Sequence, residues 1–75
     1  MVQRKIMLRP EDVKEFVSVA AKCDFDIDIF YNRYIVDAKS ILGVYGLDLT
    51  KVLTVRYNGY NAELESYLAS LAVAC

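Results

Sequence analysis

The 75 residues carry 9 lysines and arginines against 10 aspartates and glutamates, a formal net charge of -1, and 56% of them are apolar. That balance offers no basic excess to a nucleic-acid backbone, and the apolar share is too high for a disordered chain. The length fits one domain over residues 1–75, near the lower size at which a core holds a fold without staples.

Val2 to Leu8 reads as a strand, but both of its faces mix apolar and charged residues, so its inward side stays open. Pro10 suits the first turn of a helix, where its missing N–H is no loss, and Glu11 and Asp12 complement the positive end of the helix dipole. Val13, Phe16, Val17 and Ala20 fall on one helical face, predicting a helix to about Lys22. From Asp24 to Phe30 aspartates alternate with Phe25, Ile27 and Ile29, the pattern of a strand with one wet and one buried face. Tyr31-Asn32-Arg33 reads as a turn, and Tyr34 to Val36 as the returning strand of a hairpin. Ser40 to Tyr45 predicts a short helix ended by Gly46. Val52 to Tyr57 is a strand rich in β-branched residues, broken by Asn58-Gly59. Asn61 is placed to cap a last helix whose apolar face is Leu64, Tyr67, Leu68 and Leu71.

The order β-α-β-β-α-β-α predicts an α+β fold, with three helices on one face of a four-stranded antiparallel sheet. A right-handed crossover between the first two strands leaves a slot that the fourth strand fills, giving strand order 1-4-2-3. The first and third strands would then be open edges, a route to a homodimer.

The candidate sites are few. No stretch is long and apolar enough for a membrane span or a signal peptide. Cys23 and Cys75 lack zinc spacing and would end at opposite edges of the sheet, so two reduced thiols in the cytoplasm are expected. Asp24, Asp26 and Asp28 would spread over about 13 Å of strand and could not wrap one cation. A solvated face with Arg56 on the neighbouring strand as a partner is the simpler expectation. Arg9, just before a helix start, is an anion candidate, although a plain surface arginine is the commoner case. Of the six tyrosines, Tyr57 and Tyr67 fit the edge of the core, while Tyr31, Tyr34, Tyr45 and Tyr60 are expected to be partly exposed. There is no nucleophile with a base, no glycine-rich phosphate loop and no metal cluster, which argues against an enzyme and calls for no cofactor.

The run Asp37-Ala38-Lys39-Ser40-Ile41-Leu42-Gly43-Val44-Tyr45-Gly46-Leu47-Asp48-Leu49 closely resembles HPr, the histidine-containing phosphocarrier of the bacterial sugar phosphotransferase system. Phe16-Val17 is similar to a pair in that family's first helix, and the predicted element order matches the family's fold. The resemblance implies a phosphoryl-accepting histidine in a His-x-Arg-Pro motif before the first helix. Here the residues are Met7-Leu8-Arg9-Pro10. Aligned on Arg-Pro the histidine position is Met7; counted back from Phe16 and Ser40 it is Arg9. Neither side chain offers the imidazole nucleophile that the carrier step needs, and the sequence contains no histidine.

The resemblance also implies a second site. Ser40 matches a serine that a regulatory kinase modifies in Gram-positive members, and an apolar patch on the same short helix docks partner proteins. Ser40, with Lys39, Ile41, Leu42 and Tyr45 around it, is therefore the candidate regulatory and partner-binding region. A phosphate there would sit at the start of a helix beside Lys39. The simpler role for Ser40 is to cap the helix through its hydroxyl. Two function classes follow. One is a regulatory adaptor without phosphotransfer, whose partners would be proteins such as an HPr kinase or a transcription regulator. The other is a structural interaction module, homodimeric through an open strand.

Overall fold

The computed structural model describes residues 1–73. Four strands are formed: β1 (Val2–Ile6), β2 (Ile27–Tyr31), β3 (Tyr34–Asp37) and β4 (Leu53–Tyr57). They make one antiparallel sheet in the order β1-β4-β2-β3. Three helices accompany them: α1 (Val13–Ala21), which follows a 3-10 turn over Pro10–Asp12, α2 (Ile41–Tyr45) and α3 (Ala62–Leu71). This is the open-faced sandwich expected from the sequence.

Strand alternation sets what is buried. In β2 and β4, Ile27, Ile29, Leu53, Val55 and Tyr57 point into the core, while Asp28, Phe30, Thr54 and Arg56 lie on the half-covered opposite face. The helices supply Val13, Phe16, Val19, Ala20, Val44, Leu64 and Leu68 to that core. On burial of this kind rests most of the stability of a chain this small.

The undecided first strand is settled by packing. Ile6 is in the core, and Arg4 on the same face reaches across to Glu65 of α3 at 3.0 Å. Glu65 also accepts a hydrogen bond from the Tyr57 hydroxyl. Burial first, and this carboxylate second, push the Tyr57 phenol up to about 12.

β2 and β3 each run one residue past expectation, to Tyr31 and Asp37. Three other strand ends fall short of it, for one reason: a strand lasts only while it has a neighbour. β1 stops at Ile6, opposite Leu53, where β4 begins. β2 starts at Ile27, opposite Tyr57, where β4 ends. Asp24, Phe25 and Asp26 therefore lie outside the sheet, and the Phe25 ring stacks on Tyr57 with centroids 5.8 Å apart. β4 itself begins at Leu53 rather than Val52, because Leu53 is the first residue to find a partner on β1.

The open edge expected at β1 is partly closed. The Met7 amide donates to the Leu71 carbonyl and the Val73 amide to the Lys5 carbonyl, each at 3.1 Å, so the segment after α3 lines this edge. Cys23 is a buried thiol whose pKa is raised, mainly by burial. The expected place of Cys75 lies outside the described residues.

Candidate functional site

Two regions were singled out by sequence: the approach to α1 and the start of α2. At the first, Met7 is 40% exposed and Leu8 turns into the core. Arg9 donates from Nε and Nη2 to the Asp12 carboxylate at 3.0 and 3.1 Å, and its Nη1 lies 3.4 Å from Glu11. The Arg9 backbone amide also donates to Asp12, at 3.1 Å. The hydrogen bond from the Arg9 side chain is the chief reason the Asp12 carboxyl sits below its usual range. The guanidinium and the leading amide that were to receive an anion thus already face carboxylates. At Met7, the histidine position when the motif is aligned on Arg-Pro, the thioether is no phosphoryl acceptor, and at Arg9, the position by the ungapped count, neither is the guanidinium.

The second region is built from the backbone upward. Asp37 closes β3, and its carboxylate accepts from the Lys39 amide at 2.9 Å while its carbonyl accepts from the Ser40 amide at 3.0 Å. These bonds turn the chain into α2. Ser40 is the N-cap: its backbone is extended, and its Oγ accepts from the Gly43 amide at 3.2 Å. Gly43 suits the close approach, because a Cβ there would stand a tight 3.2 Å from Ser40 Oγ and 3.3 Å from Val36 Cβ. α2 therefore lies directly against β3.

Helical spacing then divides the α2 side chains. Val44 is fully buried, whereas Leu42 is 82% exposed and Tyr45 is 48% exposed. Ile41, one of the partner-binding candidates, is also surface-exposed. Ser40 is exposed at the head of this short apolar face. Lys39, expected beside a phosphate on Ser40, has a backbone partner in the unmodified chain. Its ammonium donates to the Cys23 carbonyl at 2.9 Å, tying the α2 approach to the end of α1 rather than reaching toward Ser40.

Sequence reasoning did not single out Gly43 or Ile35, and named Tyr34 only as a partly exposed tyrosine. A glycine inside a five-residue helix was the available sign for the first. Tyr34 and Ile35 are 68% and 54% exposed on β3, the third strand, whose open edge follows from the predicted strand order.

Comparison with solved structures shows which known fold this arrangement shares. The structure superposes on the phosphocarrier protein HPr of Bacillus anthracis with a TM-score of 0.72 and 25% identity, covering 96% of each chain. The chain has an HPr-like fold. HPr-C-His of Thermoanaerobacter tengcongensis matches with a TM-score of 0.75 and 22% identity, over 96% of this chain and 91% of that one. The catabolite repression protein Crh of Bacillus subtilis, described as a swapped, intertwined dimer, matches with a TM-score of 0.65 and 22% identity, over 99% of this chain and 93% of its own. No family model and no curated protein matches the sequence. Among the described residues, no helix is long and apolar enough to cross a membrane.

Proposed function

We propose that this HPr-like chain is a regulatory adaptor that binds other proteins through α2, with Ser40 as its phosphorylation site, and that it does not carry a phosphoryl group. The observation that supports the reading is the exposure of Ile41, Leu42 and Tyr45 beside an exposed, helix-capping Ser40. A phosphate on Ser40 adds about −1.5 to −2 charge. It would alter how an apolar partner surface meets Leu42 and Tyr45. The same phosphate oxygens can still accept from the Gly43 amide, so modification need not unmake the helix. An HPr kinase and a transcription regulator are the partner classes this chemistry suits, in a cytoplasmic setting. The function is binding rather than catalysis.

The test is incubation of the purified protein with an HPr kinase and ATP, followed by intact-mass measurement. One added phosphate, absent from Ser40→Ala, is expected. Absence of modification across several such kinases would remove Ser40 as a regulatory site.

A further inference from the structure

The geometry of β3 points to a second copy of this chain as the occupant of its free edge: we propose a two-fold dimer in which β3 pairs antiparallel with β3, centred on Ile35. The first observation is the direction of the backbone groups. The Ala38 amide donates to the Ile27 carbonyl at 2.9 Å, and Ile29↔Val36 and Tyr31↔Tyr34 are the next pairs of the same parity. Tyr34 and Val36 therefore turn their amides and carbonyls toward β2, whereas Ile35 turns its own outward. The opposite edge of the sheet is partly lined by the segment after α3, whereas among the described residues no strand lies on the outer side of β3.

The second observation is charge. The edge strand reads Tyr34-Ile35-Val36-Asp37, with Arg33 in the hairpin turn just before it. An antiparallel copy centred on Ile35 sets Ile35 against Ile35 and Tyr34 against Val36, and brings Arg33 of each turn beside Asp37 of the other copy, twice over. A two-fold centred on Val36 would instead put Arg33 against Lys39 and Asp37 against Ile35, so charge selects the register. Asp37 also has a reason to seek a cation. It stands directly across from Asp28, a like-charge pair in which Asp28 alone is matched, by Arg56 at 3.1 Å. Among the described residues, neither Arg33 nor Asp37 forms an ion pair. The dimer would complete both.

The apolar contacts agree. Ile35 is 54% exposed and lies opposite Phe30 on the uncovered face of the sheet. Pairing joins Phe30 and Ile35 of one copy to Ile35 and Phe30 of the next in a continuous stripe. On the other face Tyr34, 68% exposed, would cover Val36 of its counterpart at the foot of α2. This dimer keeps every strand in its own copy, unlike a swapped one.

The test is sedimentation of the full chain up to millimolar concentration, with folding followed by circular dichroism. Wild type should dimerise. Arg33→Asp should weaken the dimer by about tenfold or more, since two attractive cross-strand pairs become repulsive. Asp37→Arg should do the same, and an equimolar mixture of the two variants should dimerise again, because each supplies the charge the other lacks. As a check independent of Asp37, Ile35→Cys in a Cys75→Ser background should form a disulfide between two copies of residue 35 on mild oxidation, identified by peptide mass. Opposed residues of a hydrogen-bonded antiparallel pair lie about 5.5 Å apart at Cα, within disulfide reach. A monomer at all concentrations, a dimer insensitive to Arg33→Asp, or no disulfide at residue 35 would overturn the proposal.

Discussion

Replacing Ser40 by alanine removes the hydroxyl oxygen that accepts from the Gly43 amide at 3.2 Å and leaves that donor to water. The site is exposed, so the loss belongs at the lower part of the usual N-cap range, about 0.5 to 1 kcal/mol. An unfolding entropy of about 2.1 cal/mol/K per residue gives about 0.16 kcal/mol/K for a chain of 75 residues. The expected fall in Tm is therefore about 3 to 6 °C. Ser40→Asp keeps an acceptor at the same place and adds negative charge at the positive end of α2, so it should restore most of the loss. Thermal unfolding by calorimetry, with hydrogen exchange of the Gly43 amide alongside, measures both effects. Equal Tm values for wild type and Ser40→Ala, with unchanged Gly43 protection, would show that Ser40 does not hold the helix and would remove the physical link between modification and the α2 surface.

Leu42→Asp changes an 82% exposed side chain, so stability should move by no more than about 0.5 kcal/mol, while the rate of kinase modification at Ser40 falls. Gly59→Ala would place a Cβ 2.4 Å from the Phe25 ring, at a cost of about 1 to 3 kcal/mol in denaturant unfolding; Phe25→Ala in the same chain should make the two effects strongly non-additive. Asp12 ionises below the ordinary carboxylate range in the folded state, so the folded chain binds fewer protons there than the unfolded one. Its contribution is complete above the unfolded value and is lost as pH falls through the lowered one, so Asp12→Asn should flatten the acid limb of a stability-pH curve.

The sheet order was legible because element order, crossover handedness and alternation all point the same way. The strand ends were not. Asp24-Phe25-Asp26 has the alternation of a strand, but β4 runs out at Tyr57 and leaves those residues nothing to pair with. Side-chain commitments were equally hidden. Arg9 and Lys39 read as free cations, yet one faces the Asp12 and Glu11 carboxylates and the other a carbonyl at the end of α1. Pairings of that kind depend on how neighbouring elements approach, which a local pattern does not encode. The cap at Ser40 was visible because it needs only a hydroxyl three residues ahead of an amide.

The most direct measurement is the intact mass of the purified chain after incubation with phosphoenolpyruvate and enzyme I, with the Bacillus anthracis HPr as a parallel control. An unchanged mass beside a phosphorylated control is the predicted result, since neither Met7 nor Arg9 offers a nucleophile for the transfer. A stable phosphoryl adduct on this chain would contradict its assignment as a binder rather than a carrier.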